Sequence, residues 1–219
     1  MLKIETTVDS DLAKYAQKHI EKYRGRIEEL FEATDAVLRI GGTIEFTTPA
    51  LHPGEKALQP FSISLLNPEL RFRLAHSGRK SEALCRAVMG KNSRPYVFDA
   101  TAGLGRESMI LSSAGCKVMM FERNPVTYLM LYAALENARV ELAQQKDLKI
   151  TLPLLAPCGT IWDLLQTDRT VELPDVVYYD PMFPARGKNA LVKNEMQIFH
   201  KITGYDTDTV EYAEYLLTV

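Results

Sequence analysis

Tyr96-Val97-Phe98-Asp99-Ala100-Thr101-Ala102-Gly103-Leu104-Gly105-Arg106-Glu107 is the stretch on which the fold of this chain turns. Three apolar residues ending on an acid read as a buried strand with Asp99 at its C-terminal end. The glycines that follow mark a tight turn, and Glu107 to Ala114 reads as a helix. Strand, glycine turn and helix in that order put free N–H groups of a helix start beside a loop that a ligand can approach closely. A second apolar run, Lys117 to Phe121, is followed at once by Glu122. The interval from Gly103 to Glu122 matches the ~20 residues at which a strand-end carboxylate takes the hydroxyls of an adenosine ribose. Ser108 stands where a dinucleotide fingerprint has its third glycine, which weakens an NAD reading without removing it.

Working outward, a helix is expected over Ser81 to Met89 and a long one from Pro125 to about Val140. Leu148 to Leu155 is a third strand that Pro153 shortens, and Pro174 to Tyr179 a fourth. Helical stretches follow over Ala190 to Ile202 and Thr209 to Leu217. Strands alternating with helices give an α/β fold with a parallel sheet over residues 75–219. Residues 1–74 read as a small N-terminal α+β region. There Leu12, Tyr15, Ala16, His19, Ile20, Tyr23, Ile27, Leu30 and Phe31 fall at helical spacing behind an Asp9 or Ser10 cap. Val37 to Ile40 and Thr43 to Thr47, split by Gly41-Gly42, predict a hairpin. After a loop with Pro49, Pro53 and Pro60, the alternation of Phe61, Ile63 and Leu65 suggests another strand. The chain stops at Val219, after a helix and where a strand is due, so a longer protein that supplies the last strands is expected.

Charged residues make up 25% and apolar ones 46%, which excludes a disordered chain. The net charge of −2 argues against a broad basic surface, so any nucleic-acid contact must be local. Two clusters qualify: Arg71, Arg73, Arg79, Lys80, Arg86, Lys91 and Arg94, and then Arg186, Lys188, Lys193 and Lys201. Arg79, Lys80, Arg186, Lys188 and Lys193 are the candidates for phosphate contacts. Cys85, Cys116 and Cys158 are isolated thiols, which fits a reducing compartment and no zinc site, and His19, His52, His76 and His200 have no metal spacing. Neither a signal segment nor a run of ~18 apolar residues is visible, so a cytoplasmic, non-membrane protein is expected. Trp162 is expected in the core.

The fourth strand delivers Asp180-Pro181-Met182-Phe183-Pro184 to the sheet edge where open α/β folds bind ligands. Two prolines stiffen this turn, and Phe183 offers a flat apolar face. An exocyclic amine on a base is a poor nucleophile, because its lone pair is delocalised into the ring. A carboxylate and a fixed backbone carbonyl that accept its two N–H bonds orient the nitrogen and relieve developing positive charge. Asp180, Pro181 and Phe183 supply those parts, with Phe183 stacking on an unpaired base. Methyl transfer to an amine from S-adenosylmethionine is therefore the favoured chemistry, with Glu122 on the cofactor ribose. An NAD-dependent oxidoreductase and a non-catalytic RNA-binding module are the readings from other classes.

Taken together, Asp99-Ala-Thr-Ala-Gly-Leu-Gly-Arg106, Gly115-Cys116, Glu122-Arg-Asn-Pro125 and Asp180-Pro-Met-Phe-Pro184 resemble the bacterial small-subunit ribosomal RNA guanine-N2 methyltransferases of the RsmJ type. Ala190-Leu-Val-Lys193, Glu195-Met196 and Phe199 add to the resemblance, which runs from about Ala75 to Val219. It implies a Rossmann-like class I methyltransferase sheet with helices on both faces, S-adenosylmethionine as cofactor, and 16S rRNA or the small ribosomal subunit as partner. The product would be N2-methylguanosine; a base amine in DNA or another RNA is the alternative within the same chemistry. By position, the resemblance puts Asp99, Gly103, Gly105, Arg106 and Glu107 at the cofactor. Glu122 and Arg123 would flank its adenosine, Gly159 and Thr160 its adenine, and Asp180 would lie between methyl group and amine. Gly159 departs from the family's small hydroxylic residue. His76-Ser-Gly-Arg-Lys80 departs from its glycine-rich basic loop.

Overall fold

The computed structural model describes residues 2–32, 35–48, 59–76, 82–145, 148–181, 199, 202–203 and 208–219. They divide into two compact units, one built from residues 1–63, 124–134 and 183–205, the other from 64–123, 135–182 and 206–219.

In the first unit, β1 (Lys3–Thr6), β2 (Val37–Ile40) and β3 (Ile44–Thr47) form a sheet in that order. The predicted hairpin is present: β2 and β3 run antiparallel with Leu38 opposite Phe46 and Ile40 opposite Ile44. Those four side chains are fully buried, while Arg39 on the alternate face pairs with Glu5 and Glu45. β1, parallel to β2, was not anticipated. Its residues are mostly exposed, so it is held by ladder hydrogen bonds rather than by a burial pattern. The alternating Phe61 and Ile63 are buried, yet Phe61 makes only an isolated bridge to Phe46 and no strand follows.

The single N-terminal helix expected from the periodicity is two: α1 (Asp11–Lys22) and α2 (Arg24–Leu30). Ser10 caps α1 by accepting the Ala13 N–H at 3.1 Å. The break falls at Tyr23, whose N–H folds back to the carbonyls of His19 and Glu21, and Gly25 weakens continuation. The buried stripe of α1 carries His19.

The second unit holds the expected parallel sheet, with β4 (Tyr96–Asp99), β5 (Lys117–Met120), β6 (Leu154–Leu155) and β7 (Val176–Tyr178) in the order β6-β5-β4-β7. All four residues of β4 are buried, so both faces of this central strand are covered. β6 is only two residues long, in keeping with Pro153 just before it. β7, expected as a buried strand, is half-buried at the edge of the described sheet. Phe98 and Phe121 meet at 5.0 Å in a core that also takes in Tyr96, Ile161 and Leu216.

Helix α3 (Pro68–His76) was read only as part of a basic stretch. Asn67 caps it by accepting the Leu70 N–H at 2.9 Å, and Pro68 fits the first helical position. Then come α4 (Ala83–Met89), α5 (Arg106–Ser113), α6 (Pro125–Gln144, shared by both units), the unanticipated α7 (Ile161–Thr167) and α8 (Thr209–Leu216). The expected helix over Ala190 to Ile202 lies almost wholly outside the described residues. Trp162 is not core: it is 49% exposed and stands edge-on to Tyr215.

Candidate functional site

The site is assembled where β4, β5, β6 and β7 end. The register sets Asp99 beside Met120 of β5 and Tyr178 of β7, so the acids just beyond those strands, Glu122 and Asp180, arrive near the same glycine turn. Gly103 (φ 51°) and Gly105 (φ 71°) both occupy the left-handed region, where a side chain would strain the backbone. Gly105 precedes α5 without any side-chain cap, leaving the first-turn N–H groups of that helix to other partners.

Asp99 is 1% exposed, and both of its carboxylate oxygens are used within the protein. Oδ1 accepts the Thr101 N–H at 3.1 Å and Oδ2 accepts the Ser108 hydroxyl at 2.6 Å. Burial pushes its carboxyl up to about 6, against those two hydrogen bonds, which favour the charged form. Asp99 thus holds the loop after β4 to the start of α5. Ser108, noted in the sequence only as a missing glycine, is fully buried as its partner.

Glu122 is buried at the end of β5, and its Oε2 accepts the Gly103 N–H at 3.1 Å. The two elements that an adenosine cofactor needs, strand-end carboxylate and glycine turn, are therefore joined directly. The Glu122 carbonyl accepts the Gly159 N–H at 3.0 Å, which ties in the loop after β6. Gly159 sits at φ 152°, where a side chain is disfavoured, and a Cβ there would come within 2.9 Å of the Asp163 carboxylate, so the residue that departs from the family pattern suits the loop here. Thr160 caps α7 in a reciprocal box: its hydroxyl and N–H both donate to Asp163 Oδ2, and its hydroxyl accepts the Asp163 N–H. Gly159 and Thr160 hence present backbone and loop shape at this position.

Arg123 turns to Asp208, the residue before α8, donating to Oδ1 at 2.9 Å and Oδ2 at 2.7 Å. That contact holds the Asp208 carboxyl below the usual range. Tyr212 of α8 in turn accepts the Ile161 N–H at 3.1 Å, and burial raises its phenol to about 12. Arg106 and Glu107 are half-buried at the start of α5. Asp180 is exposed and Pro181 buried; Phe183, Arg79, Lys80, Arg186, Lys188 and Lys193 lie outside the described residues. Of the first basic cluster, Arg71 is taken by Glu141 and Gln145, and Arg73 by Glu82.

Residues 46–218 match the family described as “Putative SAM-dependent methyltransferase”. The chain belongs to this family. Among its curated relatives, the ribosomal RNA small subunit methyltransferase J of Pseudoalteromonas translucida is 38% identical over 162 residues, covering 74% of this chain and 63% of the relative. The protein of the same name from Thioalkalivibrio sulfidiphilus is 41% identical, covering 73% of this chain and 62% of its own. The chain therefore spans just under two thirds of those relatives' length. A crystal structure of a SAM-dependent methyltransferase from Neisseria gonorrhoeae aligns with 96% of this chain and 78% of its own at a TM-score of 0.57 and 21% identity, a likeness of fold.

Sequence reasoning passed over Thr101, Tyr178 and Asp208. The Asp180 N–H donates to Thr101 Oγ1 at 2.8 Å, and the Tyr178 hydroxyl lies 3.4 Å from Asp180 Oδ2. Burial, then the nearby charges of Asp180, Glu107 and Asp99, push the Tyr178 phenol far up, so it stays a donor. The sequence signal for Thr101 and Tyr178 was position at a strand end, and for Asp208 position just before a helix.

Proposed function

We propose that the chain uses S-adenosylmethionine to methylate the exocyclic N2 amine of a guanosine in 16S rRNA, acting in the cytoplasm on the RNA or the small ribosomal subunit. The observation that carries this reading is the direct hydrogen bond from the Gly103 N–H to Glu122, with Asp180 one strand over. The names of the two relatives support the substrate, the motif at Asp180 to Pro184 supports an exocyclic amine as acceptor, and the resemblance to guanine-N2 methyltransferases supports guanine. In this reading residues 75–219 form the methyltransferase domain behind a small region over 1–74.

The residues present fit the cofactor. Glu122 would take its ribose hydroxyls; the glycine turn, Arg106 and Glu107 its amino-acid end; Gly159, Thr160 and Arg123 the adenine side. Bound there, it would supply an electrophilic methyl group on a cationic sulfur. Asp99, Glu107, Glu122 and Asp180 make a site whose charge complements that cation. Asp180 and the backbone at Pro181 would accept the two N–H bonds of the amine and aim its nitrogen. Phe183 would stack on the base, and Arg79, Lys80, Arg186, Lys188 and Lys193 would meet phosphates. Once methylated, the nitrogen sheds a proton, which exposed Asp180 would accept and pass to water. A dinucleotide is disfavoured by Ser108, whose buried hydroxyl fills the place of the packing glycine.

The test is calorimetric titration with S-adenosylhomocysteine, with NADH in parallel, followed by incubation with 30S subunits and labelled cofactor. Binding of S-adenosylhomocysteine alone and N2-methylguanosine in the digested RNA are expected. Binding of NADH instead, or label on another base, would overturn the assignment.

A further inference from the structure

Asp180 stands two residues beyond Tyr178, the last paired residue of β7. The ladder between β4 and β7 ends at Asp99 opposite Tyr178, and the Tyr178 carbonyl takes the Ala100 N–H at 2.9 Å. Beyond that point the Asp180 backbone has left the sheet, and its N–H goes to the Thr101 hydroxyl oxygen instead. Thr101 is itself anchored, since its own N–H donates to Asp99 Oδ1 and Asp99 Oδ2 accepts from Ser108. A line of short hydrogen bonds thus runs from inside α5, through the end of β4, to the acid on the neighbouring strand. A side-chain acceptor one residue past the last ladder bond fixes the direction in which a chain leaves a strand, and so the direction in which the next carboxylate points.

We infer that Thr101 is a positioning residue for Asp180, its hydroxyl oxygen setting the carboxylate through the Asp180 backbone N–H. The inference rests on the reading of Asp180 as the group that accepts the amine N–H. It assigns the glycine-turn segment a second duty: the loop next to the cofactor also aims the acid that meets the substrate. Chemistry then depends on Thr101 more than cofactor binding does.

Thr101→Val keeps the shape and removes the acceptor; Thr101→Ser keeps the acceptor. In Thr101→Val, kcat for transfer to 30S subunits is expected to fall between about 10- and 100-fold, the cost of a misaimed group. The affinity for S-adenosylhomocysteine and the KM for RNA should stay within about twofold. Thr101→Ser should recover most of the rate, and the amide proton resonance of Asp180 should move in Val but not in Ser. A parental rate and an unmoved Asp180 amide in Thr101→Val would overturn the inference while leaving the proposed function standing, provided Asp180→Ala is inactive. Equal losses in rate and cofactor affinity that Ser does not recover would also overturn it, since the threonine would then only support the fold. If the parent chain itself transfers no methyl group, the proposed function fails, and the Asp180 amide shift alone decides whether Thr101 holds that residue.

Discussion

His19 in the first unit and Asp99 in the second are both buried ionisable groups, and the same cause moves them in opposite directions. Burial drives the His19 imidazole down to about 4 and the Asp99 carboxyl up to about 6. Their surroundings differ in kind. His19 is wrapped in rings: it stacks on Tyr128 at 4.9 Å and tilts against Tyr23, while Tyr15 stacks on Tyr132 at 4.0 Å. Its Nε2–H donates to the Pro125 carbonyl at 3.1 Å, which fixes the tautomer. Asp99 is met instead by the Thr101 N–H of the loop after β4 and by the Ser108 hydroxyl of α5. The first arrangement holds a scaffold; the second holds the loop that the proposed function places at the cofactor. Damage to each should therefore be read by different measurements.

Asp180→Ala should have the largest effect, a loss of methyl transfer of at least about 100-fold, with cofactor binding partly retained, in a filter assay on 30S subunits. Normal turnover would remove Asp180 from the mechanism. Asp99→Ala comes next. With the Thr101 N–H left unpaired, affinity for S-adenosylhomocysteine should drop roughly tenfold or more by calorimetry. His19→Phe keeps the stacking and loses one neutral hydrogen bond, so urea unfolding should show a cost of about 1 kcal/mol, with cofactor affinity unchanged. An affinity loss as large as that of Asp99→Ala would erase the contrast between the two centres.

The smallest effect is on the pH dependence of stability, where the two groups oppose each other. Folding raises the Asp99 pKa from 3.8 to about 6, so its contribution is greatest at low pH and is lost as pH rises through that window. Folding lowers the His19 pKa from 6.5 to about 4, so stability grows as pH rises between those values. Between about pH 4 and 6 the two slopes nearly cancel in the parent, so Asp99→Asn should leave stability rising through that window and His19→Phe should leave it falling. Parallel curves for both variants and the parent would show that neither group titrates in the folded chain as described.

Where a signal was local, the sequence carried it. Tyr96 to Glu107 announces strand, turn and helix by itself, and Gly41-Gly42 announces the hairpin. Asp99, Glu122 and Asp180 were legible because each acid directly follows an apolar run. Two local signals were present but outweighed: the Asn67-Pro68 start of α3 stands just ahead of the basic run from Arg71, and Thr160 of the Thr160–Asp163 box belongs to the pair assigned to the adenine side. β1 was invisible because Lys3–Thr6 owes its form to β2, more than thirty residues away, and buries almost nothing. Phe61 and Ile63 show the converse, since their alternation marks burial and not pairing. The roles of Thr101 and Tyr178 depend on which strand lies next to β4, and no reading of nearby residues supplies that.

The place of β7 beside β4 also bears on how the protein is made. Val97 pairs with Val176, and the Tyr96 N–H is taken by Asp175, 79 positions later. During synthesis the central strand can join β5 early, but its other edge stays open until that distant segment has emerged. An apolar strand with one bare edge invites pairing with other chains. The centre of the sheet thus stays open to mispairing until late in synthesis, and closing that edge is the same event that brings Asp180 next to β4.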